Sequence, residues 1–358
     1  MQTVTLKKPD DWHLHVRDGS LMRVVVPDSA RRFARAIIMP NLNPPVTTGD
    51  LARQYRERIL SAVPTGLSFD PLMTIYLTEE TQPEDIAKAK TSGVVFGVKW
   101  YPAGATTHSQ HGVRTISRCF PTINAMQEHG MPLLVHAETT DPTVDTFDRE
   151  AVFIDQILAP VINRFPNLRV VIEHVTTRNG VQFIRDASQM VAGTITPHHL
   201  LLNRTAMFEG GLRPHYYCLP VLKREEHRIA LVEAATSGHP RFFLGTDSAP
   251  HSRLAKESDC GCAGIYTAHA AIELYAEVFE REGALSKLEA FASFHGADFY
   301  GLPRNEGHIT LEKKPWLVPE SFRFDEDALI PFRSNEVVKW RLVDNLERAS
   351  VRIMRDDK

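Results

Sequence analysis

Cysteine is scarce in this chain: Cys119, Cys218, Cys260 and Cys262 are the only four in 358 residues. So few exclude a disulfide-stapled scaffold and fit a reducing compartment. Cys260 and Cys262 form a Cys-Gly-Cys, but no second cysteine pair stands ready to complete a Cys-only zinc site, so both are read as loop thiols. An excess of one charge is also lacking. Lys+Arg 41 against Asp+Glu 44 leaves a net charge of −3, which gives no electrostatic case for nucleic acid or an anionic membrane. No run approaches the ~18 consecutive apolar residues of a membrane-spanning helix. The opening "MQTVTLKKPDD" has neither an apolar signal core nor Arg/Ser-rich transit character, so a cytoplasmic protein is expected. No GxGxxG follows the first apolar run, which weighs against an open dinucleotide-binding sheet. Repeats, low-complexity tracts and linker-like stretches are missing too. The expectation is a single domain over 1–358.

What is present is a regular alternation. Eight short apolar runs, often β-branched, occupy residues 4–16, 35–40, 71–77, 94–101, 132–138, 168–175, 190–197 and 241–248. Strands buried on both faces read as such runs, and amphipathic stretches between them read as helices. Eight strand–helix units predict an α/β fold, a closed (β/α)8 TIM barrel; an open doubly wound sheet is the alternative. Residues 114–130 read as a helix interrupted by Pro121 and capped at Gly130. Residues 272–301 have a helical pattern, and the tail 303–358, mixing Pro and charge, reads as a C-terminal extension packed on the barrel.

The ionisable residues fall at the strand ends, where a parallel barrel places its reactive face. His13 and His15 end the first run, Lys99 the fourth, His136 the fifth, His174 the sixth and Asp247 the eighth. Alternate residues of a strand share a face, so Arg17 would point with His13 and His15. Alone, His136 or His174 is ordinarily a hydrogen-bonded rim residue, and Asp247 could cap a helix. Together, imidazoles and a carboxylate converging on one rim suit Zn²⁺. Lys99 sits among apolar neighbours in "VVFGVKWY", where a charged ammonium would repel a cation and burial favours the neutral amine. A neutral amine can add CO2 and become a carbamate able to bridge two metals.

These residues resemble the amidohydrolase superfamily. Eight blocks, "DDWHLHVRDG", "MPNLNPPVTT", "KWYPAGATTHSQHGV", "LLVHAE", "EHVTT", "LRPHYYCLPVLK", "GTDSAPH" and "KESDCGCAG", resemble the shorter, bacterial-type dihydroorotases, in family order from residue 10 to 264. The resemblance implies two Zn²⁺ per subunit: one on His13, His15 and Asp247, a second on His136 and His174, bridged by N6-carboxylated Lys99. It implies that a hydroxide between them attacks the amide carbonyl of (S)-dihydroorotate, with Asp247 as general base and then acid, giving N-carbamoyl-L-aspartate. Run in reverse, the reaction belongs to pyrimidine (UMP) biosynthesis.

A substrate carboxylate suits the planar guanidinium of Arg17, whose bland role is a surface pair with Asp18. By resemblance Asn41 and His251 complete the carboxylate site, although alone Asn41 is a turn former and His251 a loop residue. Backbone groups of Leu219 and Ala263 would meet the ring's amide edge. The polar stretch 103–112 suits a mobile loop, and the resemblance makes it a lid reaching substrate through Thr106 and Thr107. The sequence departs from the family at Trp100, His108 and His198, none a proposed ligand. The partner is a small molecule, with no nucleic acid or membrane, and the resemblance suggests a homodimer. A dihydropyrimidinase or hydantoinase-like cyclic amide hydrolase is the alternative, against which Arg17 argues.

Overall fold

The computed structural model describes residues 2–259 and 261–343. Cys260 and residues 344–358 of the tail lie outside the described residues. The first strand, β1 (Thr3–Lys7), stands apart from the barrel. Eight strands follow in one parallel sheet in chain order: β2 (Asp10–Leu14), β3 (Arg35–Ile38), β4 (Asp70–Tyr76), β5 (Val95–Trp100), β6 (Leu133–Val135), β7 (Val170–Ile172), β8 (Val191–Ile195) and β9 (Phe242–Leu244). Each is joined to the next by a crossover carrying a helix, as parallel pairing requires. The last strand meets the first through its extension: Asp247 N donates to the His13 carbonyl at 2.9 Å, and His15 N donates to Ser248 at 3.1 Å. The fold is therefore the expected α/β barrel, and its closing seam lies between two segments with candidate ligands.

Period-two alternation sorts the strand residues into two layers. In β6, Leu133 and Val135 join the large apolar layer under the helices, while Leu134 joins a smaller cluster with Trp12, Val171 and Phe243. Val170 and Ile172 of β7, and Phe242 and Leu244 of β9, face the helices in the same way. The small cluster fills the barrel interior, and Tyr300 closes its end by stacking on Trp12 at 4.5 Å. Gly296 is required beneath that pair, because a Cβ there would lie 2.0 Å from the Trp12 indole nitrogen.

The structure corrects the sequence expectations at three places. The run 4–16 is two strands, broken at Lys8-Pro9. β1 leaves the barrel to pair antiparallel with β10 (His308–Glu312), which also pairs with the short strand Arg341–Leu342. Pro121 starts a helix instead of interrupting one. A 3-10 turn, Ile116–Cys119, leads into the helix Phe120–Glu128 with the proline in its first turn, where its missing N–H costs nothing. That helix ends at Glu128 and Gly130 caps it as expected: its backbone is left-handed (φ 61), Gly130 N donates to the Gln127 carbonyl at 3.3 Å, and Met131 N donates to the Met126 carbonyl at 2.8 Å. The pattern 272–301 is not one helix: Ala271–Arg281 ends before the left-handed Gly283, and a second helical segment runs through a π turn, Ala290–Phe294, to Tyr300.

Candidate metal centre

Strand parity delivers the first ligands. In β5, Val98 and Trp100 face the helices, so Lys99 between them points inward, fully buried. His136 continues the inward phase of Leu134 past the end of β6. β2 carries an irregularity between Asp11 and Leu14, and there His13 and His15 converge with their Nε2 atoms 3.2 Å apart. Asp247 Oδ1 lies 3.3 Å from His13 Nε2 and 3.2 Å from His15 Nε2. Two ligands held ~2.1 Å from a zinc ion at tetrahedral angles stand about 3.4 Å apart. The triangle fits that donor spacing.

The remaining rings close in behind. His174 packs 5.1 Å from the His13 ring and 4.8 Å from His136, centre to centre. Two buried donors among these groups have no hydrogen-bond partner: the Lys99 amine and His174 Nδ1. Native interiors rarely leave such atoms unsatisfied, and an unpaired lysine at this depth is rarer. Burial pushes the Lys99 amine down to about 8, against the pull of Glu173 and Asp247. Burial likewise lowers His15 to about 3, and lowers His136 and His174. Neutral imidazoles and a free amine are the forms that metal ligation and carbamate formation need; His13 alone is shifted the other way, its burial outweighed by Glu173 and Asp247. Burial works against ionisation of Asp247, but His13 and His15 beside it hold the carboxyl well below its ordinary value. The His13–His15–Asp247 donors fit a divalent cation, with the unpartnered Lys99 amine and the His136 and His174 rings beside them.

Two carboxylates that the sequence analysis did not single out orient these rings. Glu173 Oε2 accepts from His13 Nδ1 at 2.7 Å, which commits Nε2 to the cavity. Glu138 Oε2 lies 3.0 Å from His136 Nε2 and leaves Nδ1 as that ring's ligating atom. A carboxylate behind a ligating histidine fixes its tautomer and raises its basicity. Asp11 anchors the seam by accepting from the Thr246 backbone at 2.8 Å and its hydroxyl at 2.6 Å. Three residues hold left-handed backbone at the rim: Arg17 (φ 57), His174 (φ 40) and Asp247 (φ 44). Strain of this kind, of order 1–3 kcal/mol each, collects at functional sites.

One cavity gathers His13, His15, Arg17, Asn41, Thr106, Thr107, His136, His174, Leu219, Asp247 and Ala263. Lys99 lies beneath it and His251 behind Arg17. The β-alternation expected to align Arg17 with the histidines ends at Leu14, and Arg17 reaches the cavity through its left-handed turn. It does not pair with Asp18, which binds Arg58 at 2.8 Å. Its guanidinium instead donates to His251 Nε2 at 2.8 Å and the Pro250 carbonyl at 3.1 Å. Burial and the Arg17 charge push His251 down to about 2. Asn41 is buried rather than a surface turn, and its amide donates to the Thr107 carbonyl at 3.0 Å. The 103–112 loop thus folds over the cavity, with His108 Nδ1 3.2 Å from the Asn41 carbonyl.

The amidohydrolase family model matches residues 11–332. A dihydroorotase of Methylobacillus flagellatus is 63% identical over 342 residues, 96% of this chain and 99% of its own. The chain belongs to the dihydroorotases of the amidohydrolase family. A solved dihydroorotase from Campylobacter jejuni superposes with a TM-score of 0.88 at 36% identity, covering 96% of this chain and 98% of that one. A Saccharomyces cerevisiae dihydroorotase, solved with 5-fluoroorotic acid, gives 0.88 at 34% identity, covering 96% and 99%.

The features marked as departures from other dihydroorotases have structural places. Trp100 faces outward and packs on Phe153 at 5.2 Å. His198 is buried against His199, ring centres 4.5 Å apart, and does not line the cavity. His199, His198 and Cys218 form a second cluster of donors, but His199 and Cys218 both donate to the Pro220 carbonyl. Among the described residues the cysteines are free, and no helix is long and apolar enough to cross a membrane.

Proposed function

We propose that this chain is a dihydroorotase holding two zinc ions, bridged by a carbamylated Lys99, and interconverting (S)-dihydroorotate and N-carbamoyl-L-aspartate. The observation that carries the reading is the meeting of two chemistries in one cavity: the His13–His15–Asp247 triangle and the Arg17 guanidinium backed by His251. A metal triangle alone would serve any cyclic amide. A guanidinium beside it suits a ring that carries a carboxylate.

When bound, the cations supply Lewis acidity toward the amide carbonyl and lower the pKa of water. The protein's own groups do the rest. His13, His15 and Asp247 would hold one ion; His136, through Nδ1, and His174 would hold the other. The Lys99 ammonium loses a proton, its free amine bonds to the carbon of CO2, and the nitrogen gives up a second proton, leaving an anionic carbamate that would be a ligand for the cations. Asp247 takes the proton of the attacking water and delivers it to the ring nitrogen as the C–N bond breaks. Arg17, Asn41 and His251 hold the substrate carboxylate, and backbone groups of Leu219 and Ala263 meet the amide edge. Thr106 and Thr107 close over the ring and exclude bulk water. In the opposite direction the same groups close the ring for pyrimidine biosynthesis. The working form is a cytoplasmic homodimer of single-domain subunits, with 303–343 packed on each barrel; light scattering checks the dimer.

One assay with metal analysis tests the reading. Purified protein is expected to hold about two zinc ions per chain and to interconvert the two named compounds. Turnover of dihydrouracil or hydantoin without dihydroorotate would replace it by a dihydropyrimidinase or hydantoinase reading.

A further inference from the structure

Lys256 is a buried lysine that the chemistry above does not use. It ends the short helix Arg253–Lys256 and is 4% exposed. Among the described residues it has no carboxylate partner within salt-bridge distance. Its ammonium instead donates three hydrogen bonds to backbone carbonyls: Tyr217 at 3.1 Å, Cys262 at 2.8 Å and Gly264 at 2.6 Å. Every N–H of the group is spent. Burying an unpaired cation is costly, and here the return is a crosslink between two distant stretches of chain.

Those stretches are the cavity's backbone wall. Leu219 follows Tyr217 by two residues, and Leu219, Ala263 and Gly264 line the cavity. Gly264 N also donates to the Tyr217 carbonyl at 3.0 Å. Gly264 has φ +152, and a Cβ there would lie 2.5 Å from the Ala249 carbonyl, so the approach tolerates no side chain. A trans peptide is planar with its C=O and N–H opposed. Turning the Cys262 carbonyl toward Lys256 therefore aims the Ala263 N–H the opposite way. The lid is tied to the same stretch, since the Thr107 hydroxyl donates to the Ala263 carbonyl at 3.4 Å.

We propose that Lys256 is a positioning residue: its ammonium staples the 217–219 segment to the 262–264 segment and so fixes the backbone groups that meet the substrate. The inference rests on the dihydroorotase reading for the identity of that substrate, but not for the staple itself. It assigns Lys256 to substrate binding and not to the metals or the chemical step.

The test compares wild-type holoenzyme with Lys256→Met and Lys256→Gln, with zinc content measured in each. A hydrogen bond from a charged donor is worth about 1.5–3 kcal/mol, so KM for dihydroorotate is expected to rise about tenfold or more in Lys256→Met. kcat is expected to change less than about threefold, with zinc content unchanged, and Lys256→Gln, keeping two donors, to fall between. Wild-type KM in Lys256→Met, or a loss confined to kcat, overturns the proposal. Hydrogen exchange read by mass spectrometry over 215–220 and 261–266 needs no substrate. Faster exchange in those two peptides alone is expected in either variant, and unchanged exchange overturns the staple. Should Lys256→Met fail to fold, Lys256→Gln carries both readouts. A wild type inactive on dihydroorotate would instead overturn the proposed function and leave the exchange result to judge Lys256.

Discussion

Glu173 and His174 are neighbours that reach the cavity by different routes. Glu173 follows the inward phase of Val171, whereas His174 would face the helices if the strand continued and gains the interior through its left-handed turn. Parity reasoning applied along the run therefore names Glu173 as the inward residue. The strand-end reading singled out the histidine and passed over the carboxylate that orients His13. The signal was an acid set beside a histidine in an otherwise apolar run, which residue type alone does not rank. Glu173→Gln keeps an acceptor but removes the charge behind His13. Metal affinity is expected to fall about 10–100-fold, read by competition with a chromogenic chelator; unchanged affinity would deny Glu173 its orienting role. Lys99 was legible because its apolar neighbours leave a lysine no solvent. Its amine, pushed down to about 8 by burial, is increasingly neutral as pH rises through that value. CO2 adds only to the neutral form, so metal-free protein is expected to take up more ¹³C-labelled CO2 at pH 8.5 than at 6.5. Carbonyl NMR reads this, and equal uptake would contradict it. Lys99→Ala is expected to abolish turnover, with partial recovery on adding a small carboxylic acid.

At the scale of elements, all eight barrel strands were legible because a strand buried on both faces leaves a run of apolar, β-branched residues. Their ends and connections were less so. Lys8-Pro9 splits the first run because proline has no N–H to give to a ladder, and the composition on either side masks the break. The loop over the cavity carries no periodicity, and its position became clear only through contacts distant in sequence, such as Asn41 to the Thr107 carbonyl. Replacing Thr106 and Thr107 together by alanine or valine is expected to lower kcat/KM by about 10²-fold, the scale of losing one positioning contact near a reacting centre. Metal content should stay unchanged. Wild-type turnover in the double variant would mean that the loop is not a lid.

For the whole molecule, the ends of the described chain are joined outside the barrel, with β1 between no barrel strands and paired along its length with β10. Inside, the cations are expected to act as part of the fold, because they bind donors whose burial is otherwise uncompensated. A ligand at 100 times its Kd adds about 2.7 kcal/mol to stability. Removal by dipicolinate is therefore expected to lower Tm by about 4 °C, and zinc to restore it. A Tm indifferent to chelation would mean that the centre is held rigid without metal.

The closing seam gives metal capture a place in time. His13 and Asp247 exchange a backbone bond as well as sharing a ligand triangle, yet they lie at opposite ends of the barrel sequence. During synthesis His13 and His15 leave the ribosome long before Asp247. A chain cut short of Asp247 already holds His13, His15, Lys99, His136 and His174, but it lacks both the third corner of the triangle and the segment that closes the barrel. The triangle His13–His15–Asp247 is therefore complete only when the barrel is closed, so a cation held by all three would tie its first strand to its last.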